Sequence, residues 1–419
     1  MLTEGFYPPS IGGQQKQLHD LGAQLSRKGL QVMVITRQVH PPAAERERVN
    51  QLTVIRVPPG GLYSGLGWQA LLPLSVFLLR VFLVLIQERR HYDILLVSGL
   101  KVLPLPAILV GHLFGKCCVI RSESPIELWQ DLSAQSMARM HMSSHSSLIS
   151  VVRAVRYWLV KKADRVIAIS SQLKATMQHA GIRAEQIEQV PNGIDTEQFC
   201  PASKDEQTAL RAALHLPADS TLFIFTGRLT ISKGLRELMQ VWTNLSQQDP
   251  TLHLLLVGSG AGCFDDAEAE LRNFISQNHL QDCVTLPGAV ENVSDYLRAS
   301  DMFVFPSHYE GFGLSIIEAM ACGLPVLVTR VGIALDVVQP GRNGTLVPVN
   351  NVQQLDEGMR WMLQRRDQWR QMGALACADV NTRYSMDVIA GQYVAIFADL
   401  YDSFLPNTLH LPFARRERP

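Results

Sequence analysis

Pro306-Ser307-His308-Tyr309-Glu310-Gly311-Phe312-Gly313-Leu314-Ser315-Ile316-Ile317-Glu318-Ala319-Met320-Ala321-Cys322-Gly323-Leu324-Pro325-Val326 is the stretch on which the reading of this chain turns. The apolar run 302–305 before it has the length of a buried strand. Ser315 with Glu318 three residues on has capping-box spacing, so a helix is expected to start at Ser315. Gly323 and Pro325 end it, and 326–329 resumes a strand. A strand, a glycine-containing loop and a helix N-terminus together make an anion site, because free backbone N–H groups and the helix dipole both favour negative charge there. Glu310 and Glu318 bracket the loop, with seven residues between them. A carboxylate would repel a phosphate, so each should face a hydroxyl donor, and a ligand with both phosphates and sugar hydroxyls fits. The plainer alternative, that Glu318 caps its helix and Glu310 is a solvated loop residue, stays open on spacing alone.

Working outward, the run 222–225 reads as a strand, followed at once by Thr226-Gly227-Arg228-Leu229-Thr230-Ile231-Ser232-Lys233-Gly234. Two cations five residues apart on a loop after a strand can clamp a diphosphate, or can be two surface bases. A strand at 253–257 leads into Gly258-Ser259-Gly260, which is a weak signal by itself. Residues 284–286 are extended and run into Gly288, Ala289 and Val290. Downstream, Asn343-Gly344 is a turn into another short strand.

In the first half, Gly12-Gly13 precedes a helical pattern with Leu18, Leu21 and Leu25 on one face. Gly29 stops it and a strand follows at 32–35. Only residues 1–3 stand before the glycine loop, so the first strand is expected to be shortened, with a start codon assigned too late. Strands at 52–57, 94–97, 117–120 and 165–169 alternate with helical stretches at 71–86 and 103–113, which argues for a parallel sheet covered on both faces. The run 71–86 is interrupted by Pro73 and Arg80, is too short to span a bilayer, and is expected to be a buried helix. Arg121-Ser122-Glu123-Ser124-Pro125 stands at the carboxyl end of a strand, where such sheets carry ligand contacts, or is a solvated turn. The stretch 147–162 interleaves Arg153, Arg156, Lys161 and Lys162 with Tyr157 and Trp158; it reads as a weak anionic-membrane surface or a solvated helix face. Pro191-Asn192-Gly193 is a turn, and the polar stretch 201–220 reads as a domain junction.

The chain has 419 residues, enough for two domains. Lys+Arg and Asp+Glu are equal at 38, which argues against bulk attraction to nucleic acid. The seven cysteines include no C-x-x-C pair, and there is no Asp-x-Asp, so neither a metal site nor a disulfide framework is expected. The opening Met1-Leu2-Thr3-Glu4-Gly5 lacks a charged n-region and an apolar core, so a reduced, cytoplasmic protein is expected.

Glu310 to Glu318 with the following Ala-Met-Ala-Cys-Gly-Leu-Pro-Val resembles the E-x7-E signature of the retaining nucleotide-sugar glycosyltransferases of family 4, the glycosyl transferases group 1. Gly227-Arg228-Leu229 with Lys233-Gly234 is similar to that family's second signature. Val257-Gly258-Ser259-Gly260 is similar to its V-G-x-G turn, and Pro191-Asn192-Gly193-Ile194-Asp195 to the segment closing its first domain. The resemblance implies the GT-B fold: two Rossmann-like, doubly wound α/β domains facing a cleft. On this reading residues 1–200 form the acceptor-side domain, 201–385 the nucleotide-sugar domain, 386–405 a final helix crossing back to the first, and 406–419 a tail.

The resemblance also implies roles. Arg228 and Lys233 would hold the donor pyrophosphate with the N–H groups of Gly311, Phe312, Gly313 and Leu314. Glu318 would take ribose hydroxyls and Glu310 would orient the donor sugar, while Gly12, Gly13, Gly258 and Val290 would line the donor. Ser122 and Glu123, where many relatives carry a His, are candidate sugar contacts. Ile333 stands where relatives mostly have a second glycine, and Asp336 where they have a Glu; the Cβ of Ile333 removes a glycine-only backbone shape there. The implied reaction moves a sugar from a nucleoside diphosphate sugar, a co-substrate rather than a cofactor, to a carbohydrate or lipid-linked acceptor, at the inner face of the membrane. A nucleotide-sugar epimerase and a non-catalytic partner of the same shape are the alternatives.

Overall fold

Short apolar strands alternating with amphipathic helices bury both faces of a parallel sheet only when helices cover both sides. The computed structural model describes residues 1–6, 13–38, 44–58, 68–100, 102–123, 154, 158–263 and 265–404. They fall into two units, Met1–Gly193 with Met386–Pro419, and Ile194–Ser385.

The first unit carries β1 (Leu2–Thr3), α1 (Gly13–Arg27), β2 (Met33–Arg37), β3 (Arg46–Val49), β4 (Leu52–Val57), α2 (Trp68–Gln87), β5 (Ile94–Ser98), α3 (Pro104–Phe114), β6 (Cys117–Ser122), β7 (Arg165–Ala168), α4 (Ser171–His179) and β8 (Ile187–Gln189). Its eight-stranded sheet has the order β3-β4-β2-β1-β5-β6-β7-β8. The two-residue β1 lies at its centre, with Leu2 opposite Ile35 on one side and Val97 on the other. The expectation of a wholly parallel sheet is corrected at one edge: β3 runs antiparallel to β4, with Val49 opposite Leu52. Asn50, at φ 55°, turns that hairpin. The strand Arg46-Glu47-Arg48-Val49 carries three charges and no apolar alternation, so its sequence looks like a loop. Charges of this kind keep a sheet edge from pairing with other chains.

The buried-helix expectation for 71–86 is also corrected. Phe77, Val81 and Leu85 of α2 are buried, whereas Leu72, Leu79 and Leu83 are exposed.

The second unit carries α5 (Lys204–Ala213), β9 (Thr221–Thr226), α6 (Leu235–Gln248), β10 (Leu252–Val257), α7 (Glu268–Gln277), β11 (Val284–Gly288), α8 (Val293–Ala299), β12 (Met302–Phe305), α9 (Leu314–Ala321), β13 (Val326–Thr329), α10 (Ala334–Val337), β14 (Gly344–Val347), α11 (Val352–Leu363) and α12 (Trp369–Tyr384). Its six strands, in the order β11-β10-β9-β12-β13-β14, are all parallel. Aromatic rings fill the core: Phe223 meets Trp242 edge-on at 5.4 Å and Phe225 stacks on Phe305 at 5.4 Å. The stretch 201–220, read as a junction, contains a helix of this unit. Ser203 caps α5 by accepting from the Glu206 N–H at 3.3 Å, and the Glu206 carboxylate accepts from the Ser203 N–H at 2.8 Å.

The last helix, α13 (Met386–Phe404), belongs to the first unit. Its buried Ile389, Tyr393, Phe397 and Leu400 join Leu21 and Leu25 of α1 and Leu96 and Val119 of the sheet in one core. Asp387 pairs with Lys28 at 2.7 Å, and Asp399 with Arg165 at 2.9 Å. The Tyr393 hydroxyl is buried with no hydrogen-bond partner among the described residues, and burial pushes its pKa up to about 12.

Two substitutions separate packing from polarity in this helix. Ile389→Ala should cost about 2–5 kcal/mol in urea unfolding, as expected when a fully buried side chain is cut back. Tyr393→Phe keeps the ring and removes a hydroxyl with no hydrogen-bond partner among the described residues, so stability should be unchanged or slightly higher. A loss of more than about 1 kcal/mol in Tyr393→Phe would mean that the hydroxyl has a partner.

Candidate functional site

In the second unit the chain runs β9, β10, β11 toward one sheet edge, then returns to β12 beside β9 and proceeds through β13 and β14 to the other. The reversal opens a crevice at the carboxyl ends of β9 and β12, the place where open α/β sheets take ligands. The loops leaving those two strands carry Arg228 and Lys233 on one side and Glu310 on the other.

The first loop is held by backbone contacts that exclude side chains. A Cβ on Gly258 would lie 1.8 Å from the Gly227 carbonyl oxygen, and Gly258 has φ 141°. The Gly227 N–H donates to Val257 O at 3.0 Å, and Leu229 N–H to Ser259 O at 3.2 Å. The Gly-x-Gly after β10 is therefore a packing device that lets two strand ends close up. Arg228 is exposed, and its Nη1 lies 3.9 Å from the Cys263 Sγ. Hydrogen bonds from Ser232 hold the carboxyl of nearby Asp265 below the usual carboxylate range.

Lys233 closes a short 3-10 turn, Ile231–Lys233, and is buried. Gly234 follows at φ 68°, and a Cβ there would fall 2.0 Å from the Pro306 carbonyl oxygen. His308 N–H donates to Ser232 O at 2.9 Å, and Thr329 Oγ1 donates to Ser307 O at 2.5 Å. The two loops are thus bound backbone to backbone. Lys233 Nζ donates to Glu310 Oε1 and lies 5.6 Å from the centre of the Phe305 ring. Beside this pair, His308 Nε2 stands 3.1 Å from Glu237 Oε1.

The helix after the second loop starts one residue before the expected position and without the expected cap. Gly313, at φ 94° and ψ 58°, is the N-cap of α9, and no side chain caps it. Ile316 N–H donates to Gly313 O at 3.0 Å. Ser315 is therefore already inside the first turn, and no Ser315–Glu318 capping box forms. With Gly311 half-buried and Phe312 buried, the loop delivers the N-terminus of α9, at Leu314, to the crevice. Glu318 sits half-buried one turn along α9. The Cys322 thiol beyond it is pushed up by burial first and by the Glu318 charge second.

Around the rim, Val290 is half-buried between β11 and α8. Ile333 has φ −72° and ψ −16°, ordinary right-handed backbone, and opens α10. Its N–H donates to Phe312 O at 2.7 Å, so the loop after β13 braces the glycine loop without a second glycine.

In the first unit, Gly13 begins α1, and Gly12 lies outside the described residues. Ser122 is fully buried at the end of β6. Glu123 accepts from Ser98 Oγ at 2.5 Å and lies 3.3 Å from Arg121 Nη1. Arg121, itself buried, also donates to Asn192 Oδ1. Ser98, Arg121 and Asn192 were not singled out as candidates from sequence, although an Arg directly after the apolar run 117–120 was a visible signal. Of the basic stretch 147–162, Arg153 and Arg156 lie outside the described residues. Lys162 Nζ stands 5.7 Å from the Trp158 ring.

Comparisons with known proteins agree across both units. Residues 206–376 match the model of the Glycosyl transferases group 1 family, and residues 11–198 that of Glycosyltransferase Family 4. The chain is 30% identical to a D-inositol 3-phosphate glycosyltransferase of Nocardiopsis dassonvillei over 81% of its length and 79% of the relative's. It is 25% identical to an N-acetyl-alpha-D-glucosaminyl L-malate synthase of Bacillus anthracis over 94% of its length and 95% of the relative's. Among solved structures it is similar to a sucrose-phosphate synthase from Thermosynechococcus elongatus, with TM-score 0.79, 25% identity and coverage of 96% and 99% of the two chains.

The Lys233–Glu310 pair should reveal itself without any ligand. Both side chains are only about a tenth exposed, at 11% and 12%. Removing one partner of a buried pair strands the other charge, so Lys233→Met and Glu310→Gln should each cost about 3 kcal/mol in urea unfolding. The double variant should cost clearly less than the sum. Additive costs would show that the pair does not couple the two loops.

Proposed function

We propose that this chain, which belongs to the glycosyl transferases group 1 family and is a glycosyltransferase of the GT-B fold class, moves a sugar from a nucleoside diphosphate sugar to an acceptor hydroxyl with retention at the anomeric carbon. The observation that carries this reading is the meeting of Lys233 with Glu310 where the strand order reverses, one cation and one carboxylate on two loops at the mouth of a helix N-terminus. A diphosphate sugar offers each of them a better partner. Lys233 would turn to the diphosphate and Glu310 to a sugar hydroxyl, so donor binding exchanges one ion pair for two charge-assisted contacts.

Charge on the departing diphosphate is the main obstacle in such a transfer. Arg228, Lys233 and the N–H groups at the start of α9 would stabilise it. Glu318 would accept from ribose hydroxyls. No residue of the described crevice stands out as a nucleophile. The acceptor oxygen would attack the anomeric carbon on the face that the leaving group vacates. Its bond to carbon forms as the carbon–phosphate oxygen bond breaks, and its proton passes to a donor phosphate oxygen. No cofactor is required. The acceptor is a carbohydrate or a lipid-linked sugar in glycoconjugate synthesis, in the cytoplasm or at the inner membrane face. The relatives' names make small hydroxylated acids and polyols the first acceptors to screen. Proton NMR of the product made from an α-linked donor checks the stereochemistry: an α-linked product is expected, and a β-linked one would overturn retention.

The two carboxylates should fail in different ways. Glu318→Gln should weaken binding of free nucleoside diphosphate in calorimetry, because a carboxylate accepts from two hydroxyls more strongly than an amide does. Glu310→Gln should bind the same ligand normally and lose turnover. Equal nucleotide affinity in both variants would contradict the ribose role of Glu318.

Activity should survive a chelator, since protein cations meet the leaving-group charge. Lys233→Ala should lower kcat/KM by about 10²-fold or more, the scale for losing one preorganised transition-state contact. Lys233→Arg should rescue poorly, because a planar fork does not replace a compact ammonium in a closed space. Activity lost in chelator and restored by magnesium would sink the metal-free reading, and a fully active Lys233→Ala enzyme would remove the role of this loop.

A further inference from the structure

Among the described residues, nothing covers one apolar face of two neighbouring helices of the first unit. On α2, Leu72, Leu79 and Leu83 form one stripe and are 72%, 58% and 47% exposed. On α3, Leu105, Leu109 and Leu113 fall at four-residue intervals and are 37%, 45% and 65% exposed. The helices pack on each other, and their opposite sides bury Phe77, Val81 and Leu85 on α2 and Ala107, Ile108 and Val110 on α3. Both are therefore anchored, and the leucines are displayed on a formed surface rather than on frayed ends. A single exposed leucine is ordinary; six on two packed helices mark a surface that takes a partner.

Arginines flank this face. Arg80 is exposed on α2 itself, and Arg90 is exposed just beyond its end. The Arg89 guanidinium lies 5.4 Å from the ring of Phe114, itself exposed at the end of α3. The nearby acids are engaged: Glu88 with Arg46 at 2.9 Å and with His91 at 3.0 Å, and Asp93 with Lys116 at 3.7 Å.

We infer that the α2–α3 face docks on an anionic lipid surface, its leucines entering the acyl boundary and Arg80, Arg89 and Arg90 meeting headgroup phosphates. Apolar insertion combined with basic flanks is the signature of an element lying in the interface plane. Among the described residues no helix is long and apolar enough to cross a membrane. A second copy of the chain fits less well, because a two-fold contact would bring the same cationic rim onto itself with the neighbouring acids already paired. This surface uses none of the residues of the basic stretch 147–162. It stands apart from the proposed reaction, which a failure here would leave untouched.

The test is co-sedimentation of the full chain with vesicles of phosphatidylcholine and phosphatidylglycerol in equal parts, against phosphatidylcholine alone. The wild-type chain should bind the anionic vesicles at low salt and release partly at high salt. Leu79→Gln with Leu83→Gln and Leu109→Gln changes exposed positions only. It should keep the wild-type melting temperature and lower vesicle binding by about tenfold or more. Arg80→Gln with Arg90→Gln should abolish the preference for anionic vesicles while leaving donor turnover in solution unchanged. No binding to anionic vesicles at low salt would overturn the inference, as would unchanged binding by the leucine variant. A dimer dissolved by the leucine substitutions, with no vesicle binding, would overturn it in favour of a second copy.

Discussion

The carbonyl oxygen of Pro306 occupies the space that a side chain at position 234 would need. That contact sets the separation of the loops leaving β9 and β12, and the chemistry of the crevice depends on it. Gly234 can sit there because it carries no Cβ and accepts a left-handed backbone without cost. One residue earlier, the same turn brings the Lys233 ammonium to Glu310. The cation and the carboxylate therefore meet as a consequence of backbone packing. Their own attraction, after both have been desolvated, is weak evidence of net stabilisation.

A charged pair kept nearly out of water at the proposed donor site is a poised arrangement. Each member orients the other, and a ligand with phosphate and hydroxyl groups would satisfy both at once. The bracing loops make the poise rigid. Ile333 N–H holds the Phe312 carbonyl, and Thr329 Oγ1 holds that of Ser307. The glycine loop before α9 is thus tied at two points to elements that follow it in the chain, which keeps the helix N-terminus aimed at the crevice.

The first unit is built by different means. Its central strand, β1, has two residues, and much of its core is supplied by α13, from the far end of the chain. Helices α2 and α3 cover the sheet with one face each and leave the other face apolar, where a monomer in water would be expected to carry polar residues. The second unit carries the proposed donor crevice, and the first leaves an apolar surface with basic flanks.

Strands such as Met302–Phe305 and Leu52–Val57 were legible because a continuous or alternating apolar run is itself the cause of burial. The two loops of the proposed donor site were marked in the sequence by the spacing of Gly227, Arg228, Lys233, Gly234, Glu310 and Glu318. Other features were not. The pattern Ser-x-x-Glu occurs at Ser203–Glu206 and at Ser315–Glu318, and only the first is a capping box. At the second, the loop is pinned through Phe312 and turns at Gly313, which takes the cap position before the serine can reach it. Strand β3 was hidden because an edge strand needs no apolar face. The buried group of Ser98, Arg121, Glu123 and Asn192 comes from segments up to 94 residues apart, with separations of 25 and 71 between bonded partners. The sequence by itself determined which residue types stand ready for an anion and for hydroxyls, because those are local chemical identities. Only the tertiary structure decided that Lys233 meets Glu310 and that the α2–α3 leucines are exposed, because both follow from contacts between segments that no local pattern encodes.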